Sequence, residues 1–237
     1  MSLKTQNGHP SPPRLLKLGQ KKHLAMLRSG LLHMKSLAYF AKLENDPARS
    51  DPYEGTDSII QQCDVGELVF DTQMHGISPL RFDGPPDGLV NIRISLNKTS
   101  ACNIFCMFAI NEPIVGSIFP KTYEWPGDHF VLFTNTAEFL NRVTVAAKRQ
   151  GLGAEGRMVK YYDETKSLDQ VGRFLKRSMY SYQREYRIAV EPGVDEPFLF
   201  EIGDLRDITS EVISRDLADD VLKFSPEDAV EAGLSWE

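Results

Sequence analysis

Asn103-Ile104-Phe105-Cys106-Met107-Phe108-Ala109-Ile110 is apolar almost from end to end. A strand of this kind has no solvent face, so the run predicts a central strand covered on both sides and a sheet built outward from it. The rest of the chain supplies candidates for that sheet. Leu89-Val90-Asn91-Ile92-Arg93-Ile94-Ser95-Leu96 alternates cleanly after the turn 83–88, and 14–19, 31–34, 66–70, 128–133 and 157–162 read as further strands. Helices are expected at 21–30, which stops at Gly30, at 36–44 behind a Ser36 cap, and around 168–176. The longest, 137–150, carries Phe139, Leu140, Val143 and Ala147 on one side, with Thr136 as its cap and Lys148 and Arg149 at its negative end.

These elements predict an α+β fold: a single mixed, largely antiparallel sheet with helices packed at its edges. Its 237 residues suffice for one domain with a sizeable core. Residues 1–13, polar with three prolines, are expected to be a disordered tail, 14–213 the domain, and 214–237 an acidic extension in which Ser225-Pro226-Glu227-Asp228 resembles a helix start. The opening is not a signal peptide and no apolar run reaches membrane-spanning length, so a cytoplasmic chain with no membrane partner is expected. A net charge of −6 argues against general nucleic-acid binding while leaving room for a local patch. Cys63, Cys102 and Cys106 form no disulfide framework and have no histidine at finger spacing, so unpaired thiols and no metal are expected.

The stretch Met179-Tyr180-Ser181-Tyr182-Gln183-Arg184-Glu185-Tyr186-Arg187-Ile188-Ala189-Val190 is where chemistry concentrates. From Glu185 it alternates charged and apolar residues, predicting a half-buried strand entered from a polar turn, with 197–202 as its hairpin partner beyond Glu191-Pro192-Gly193. Gln183 and Glu185 then point the same way. A carboxylate and an amide at a strand mouth can grip a sugar hydroxyl or steady a developing positive charge. The competing reading is a solvated ion pair between Glu185 and Arg187 on an edge strand. His33, near a helix start, is either a ligand contact or a hydrogen-bonded residue at the edge of the core. Tyr53, Tyr123 and Trp125 are either interface anchors or satellite core.

The order of these features resembles a widespread family of bacterial and phage domains of unknown function. The likeness covers about residues 14–202 and rests on Asp51-Pro52-Tyr53-Glu54-Gly55, on Phe105-Cys106-Met107, and on Ser181-Tyr182-Gln183-Arg184-Glu185-Tyr186-Arg187. It departs at 114–125, where the tryptophan, histidine and tyrosine run usual in that family is missing. A fainter resemblance is to ADP-ribosyltransferases, which split nicotinamide from NAD. That resemblance implies Glu185 and Gln183 as catalytic residues. Lys17 takes the place of the first-strand ribose contact, with Arg14 and His33 as substitutes, and Cys106 stands where a serine or threonine is usual near the nicotinamide. It implies NAD as substrate and a protein or other macromolecule as acceptor, in a setting of phage-host conflict. No glycine-rich dinucleotide fingerprint is present. The alternative function is a non-catalytic phage or defence module that binds a protein through the loops at 51–54 and 114–125.

Overall fold

A computed structural model describes residues 13–41, four short strands between 58 and 94, residues 102–110, and most of 114–222. Residues 1–12, the 51–55 motif, Cys63 and the helix start at 225–228 lie outside the described residues.

Strand β7 (Asn103–Ile110) is the spine of an eight-stranded sheet. One of its edges takes β12 (Glu185–Glu191) antiparallel, from Glu185 opposite Phe108 to Val190 opposite Asn103. Its other edge is shared. Strand β1 (Arg14–Gly19) pairs with Phe108 to Ile110, and β2 (Leu31–Ser36) with Asn103 and Ile104. Beyond Leu16, β1 keeps company with β8 (His129–Leu132), which in turn carries β14 (Ile213–Ser214). Strand β2 carries β13 (Phe198–Glu201), and β12 carries β9 (Gly153–Met158). Every one of these pairings is antiparallel. A separate parallel pair, β10 (Lys160–Tyr162) with β11 (Leu175–Arg177), makes the protein mixed. Strands β3 (Ser58–Gln61) and β6 (Asn91–Ile94), and β4 (Glu67–Phe70) and β5 (Leu80–Asp83), form two separate antiparallel pairs, the second between the strands of the first in sequence. The α+β architecture with a mostly antiparallel sheet is therefore as the sequence predicts.

Alternate residues of β7 enter different clusters, which is why the whole run is apolar. Phe105, Met107 and Ala109 lie in the larger core with Leu15, Met34, Val131, Ile188 and Val190. Helices α1 (Lys21–Arg28) and α3 (Thr136–Arg149) cover it through Leu24, Leu27, Phe139, Val143 and Ala147. On the opposite face Phe108 and Ile110 meet Leu16, Leu18, Ile118, Phe119 and Phe130, while Ile104 meets Leu37, Cys102 and Ala189. Gly30 ends α1 at a φ of 94° with its backbone against the Gly203 carbonyl, so a side chain there would overlap main chain. Helix α2 (Leu37–Ala41) starts as expected, with Ser36 accepting from the Tyr39 N–H at 3.1 Å.

Several expectations are corrected by competition for partners. The cap of α3 is Asn135, which accepts from the Glu138 N–H at 3.0 Å, because Thr136 donates instead to the Pro13 carbonyl. The 157–162 run breaks at Val159. Its N–H goes to the Glu185 carbonyl (2.8 Å) while the next N–H, of Lys160, goes to Phe174 (2.9 Å), so the chain changes partner within one step. Pairing with β10 draws 175–177 into a strand where the end of an α-helix was expected, and a 3₁₀ helix (Ser178–Gln183) follows in place of the expected polar turn. Strand β12 is buried along Glu185 to Val190 and is interior, not a half-buried or edge strand. Both its edges are occupied by β7 and β9, so 198–201 pairs with β2 instead of forming its hairpin partner. Packing continues past residue 213: α4 (Ala218–Leu222) buries Ala218 and Leu222 beside Leu16 and Phe130, and Asp219 accepts from the Ile118 N–H at 2.7 Å.

Among the described residues, Cys102 and Cys106 form no disulfide. Burial, and next to it the Glu185 carboxylate, pushes the Cys106 thiol up to about 12, which leaves it protonated and a poor nucleophile at neutral pH. Alkylation of Cys106, which is half-buried, is expected to be slow in the native protein and fast after denaturation, with an intact mass showing no disulfide; rapid labelling of native Cys106 would contradict the raised thiol pKa.

Candidate functional site

The 3₁₀ helix Ser178–Gln183 is stopped by Arg184, held in the left-handed region at φ 41°. That bend turns the chain into β12, and the Ala109 N–H donates to the Arg184 carbonyl at 2.9 Å, which fastens the bend to the spine. The Glu185 N–H donates to the Tyr161 hydroxyl at 2.9 Å. Gln183 therefore stands on the helix and Glu185 on the strand, yet one cation joins them. Lys176 Nζ donates to Gln183 Oε1 at 2.9 Å and lies 3.4 Å from Glu185 Oε2. Arg187 Nε donates to Glu185 Oε1 at 2.7 Å, and its Nη1 to the Arg173 carbonyl at 2.5 Å. The side chains of Glu185, Lys176 and Arg187 are 5%, 5% and 0% exposed.

Burial by itself would raise the Glu185 pKa, but Arg187 and then Lys176 outweigh it and hold the carboxyl below the usual carboxylate range. Glu185 is thus an anion at neutral pH in a poorly solvated place. The pairing with Arg187 exists, as the competing sequence reading has it, but inside the molecule. Tyr161 is pushed up by burial and then by the same carboxylate, so its hydroxyl stays neutral. Cys106 stands directly across from Arg187 in the sheet register, and its thiol is hydrogen-bonded to Glu185.

The remaining sequence candidates fall unevenly. Lys17 reaches the carbonyl of Cys106 at 2.5 Å, not its thiol, and its amine lies 4.5 Å from the Phe105 ring centre. It fills the stretch of the spine's edge that β1 leaves before β2 begins. His33 is exposed on β2 opposite Leu199. Partial desolvation, then Lys35, His23 and Lys17, lower its pKa, which favours the neutral ring. Arg14 sits at the far end of β1, opposite Ile110. Gln183, Glu185 and Cys106 are brought together; His33 and Arg14 are not part of that group.

Sequence reasoning missed Lys176 and Tyr161, since a lysine in an expected helix and a tyrosine in an expected strand carry no signal of a partner on another element. It also missed how the aromatic residues converge. Tyr182 stacks on Tyr123 with ring centres 4.0 Å apart and planes 3° from parallel. Trp125 packs edge-on against Tyr182 (5.3 Å) and Phe119 (4.9 Å), and its Nε1 donates to the Pro120 carbonyl at 3.0 Å. Gln183 Nε2 donates to the Tyr182 hydroxyl at 3.3 Å. The segment at 114–125 that departs from the resembled pattern is therefore docked on the motif itself. Two open grooves, of about 740 Å³ between α3 and β13 and about 430 Å³ at the start of α3, include neither Gln183 nor Glu185. Among the described residues no helix is long and apolar enough to cross a membrane. No family model, no curated protein and no solved structure matches this chain.

Proposed function

We propose that the chain is an ADP-ribosyltransferase-like enzyme that uses NAD to modify a macromolecule, with Glu185 and Gln183 as its catalytic residues. The observation that carries this reading is the Gln183, Lys176 and Glu185 linkage at the mouth of β12: a carboxylate kept ionised and dry, beside an amide on the same side. In the reaction the bond between the ribose C1′ and the nicotinamide nitrogen breaks and its electron pair leaves with nicotinamide. Positive charge grows on the ribose, where a fixed carboxylate stabilises it. An acceptor nucleophile then bonds to C1′ and releases its proton, giving nicotinamide, the ADP-ribosylated acceptor and one proton. Lys176 is shared between Gln183 and Glu185, and the pyrophosphate of NAD is the kind of anion that competes for such a cation and frees a carboxylate oxygen.

The test is to incubate purified protein with NAD and a cell lysate, following free nicotinamide and label transfer. Gln183→Ala is expected to lower turnover by roughly 100-fold, the size of effect seen when one preorganised polar group is removed, while leaving Glu185 in its ion pairs. A protein-binding module is the second reading, favoured by Tyr123, which is 45% exposed on a rigid aromatic stack. If wild type releases no nicotinamide with any acceptor fraction and calorimetry detects no NAD binding, the transferase is dropped and the module adopted.

A further inference from the structure

Between residues 157 and 187 the chain carries eight Lys or Arg against four Asp or Glu, a net of +4, whereas the whole chain is −6 and the remainder therefore −10. Six aromatic residues are interleaved with these cations: Tyr161, Tyr162, Phe174, Tyr180, Tyr182 and Tyr186. The fold gathers Arg157, Arg173, Lys176 and Arg187 around the face that bears Glu185, while Tyr186 turns into the core on the other side. Arg157 is directly opposite Arg187 in the register of β9 and β12, and the Arg187 guanidinium is bonded to the Arg173 carbonyl. The cations lie against rings. The Arg157 guanidinium is 5.5 Å from the Phe174 centre, and Lys176 and Arg177 are 4.8 and 5.3 Å from that of Tyr180. Carboxylates are present too, Glu155 with Arg157, Asp163 with Lys166 and Glu191 with Arg173, and all are partly exposed pairs that a stronger polyanion can displace.

We infer that this face binds single-stranded nucleic acid. Phosphates are drawn by the local surplus of positive charge, and unpaired bases offer π-faces to planar groups. Two such groups are presented to solvent: Arg157, whose side chain is 65% exposed over Phe174, and Tyr123, 45% exposed and backed by Tyr182. A duplex keeps its bases stacked and leaves these surfaces unused, and an acidic protein uses the charge but not the rings. The net charge of −6 averages this patch away, which is why bulk composition argues against general nucleic-acid binding. The inference does not depend on turnover of NAD.

The experiment is fluorescence anisotropy of the full chain, without NAD, with a labelled mixed-sequence single strand of about 20 nucleotides, long enough for a groove of ordinary site size. Binding is expected to weaken with salt, with a log–log slope of about −0.7 for each phosphate neutralised. The double variant Arg157→Glu/Lys160→Glu should bind at least roughly 10-fold more weakly with a flatter slope, and Tyr123→Ala roughly 10-fold more weakly with the slope kept. Lys148→Glu, on α3 across the sheet, should change nothing. Absence of binding at about 50 mM salt, or equal binding by the double variant, overturns the proposal. So does equal competition by polyglutamate, which would assign the face to an acidic protein.

Discussion

Glu185→Gln is expected to destabilise the protein by about 3–5 kcal/mol, the usual result of removing one partner from a buried ion cluster. For a chain of this size that corresponds to a fall in Tm of roughly 6–20 °C. The reason is asymmetry. Arg187 and Lys176 are both buried and both contact this carboxylate, so the amide leaves two desolvated cations with one anion fewer. Thermal denaturation followed by circular dichroism measures it, and a shift under about 2 °C would show that the cluster is solvated in solution. The effect has a pH signature. The folded-state pKa of Glu185 lies below its ordinary 4.5, so the unfolded chain takes up the proton first. The stability contributed by its ionisation is complete above about pH 5.5 and is lost as pH falls toward the folded-state value. The gap between wild type and Glu185→Gln should therefore narrow on acidification. For the same reason a loss of activity in Glu185→Gln is uninformative by itself, and Gln183→Ala is the better probe of the chemistry.

Phe139→Ala is expected to cost about 3–5 kcal/mol through lost burial and an incompletely collapsed cavity. Its side chain is fully buried and its ring centre is 4.1 Å from that of Phe133, at the contact between α3 and the sheet. Urea denaturation should show a lower midpoint with an unchanged slope, since the same surface is exposed on unfolding. A loss below about 1 kcal/mol would mean that α3 is not fixed to the sheet by this face.

The parts of the fold that were legible are those decided by residues near one another in sequence. The apolar run of β7 announces an interior strand, and the spacing of Phe139, Val143 and Ala147 announces the covered side of α3. The burial of β12 was not legible, because Glu185 and Arg187 read as solvated charge, and the lysine that encloses the carboxylate with Arg187 is carried by another element. The expected hairpin after β12 failed for a topological reason: local turn residues favour it, but β9 already occupies that edge. Of the candidate site, Gln183 and Glu185 stood out by type and spacing, and Cys106 only through the resemblance. Lys176 and Tyr161 were not, since only the change of partner at Val159 sets the parallel pair over the start of β12.

That change of partner has a mechanical consequence. Glu185 and Arg187 belong to the eight-stranded sheet, whereas Lys176 is carried by β11 of the parallel pair. The ion cluster is therefore a latch between two sheets rather than a brace within one. A ligand that takes Lys176 from Glu185 loosens the latch without breaking a single rung of either ladder, so the force it must overcome is that of a few side-chain contacts, while the strand that presents the carboxylate stays where the spine holds it.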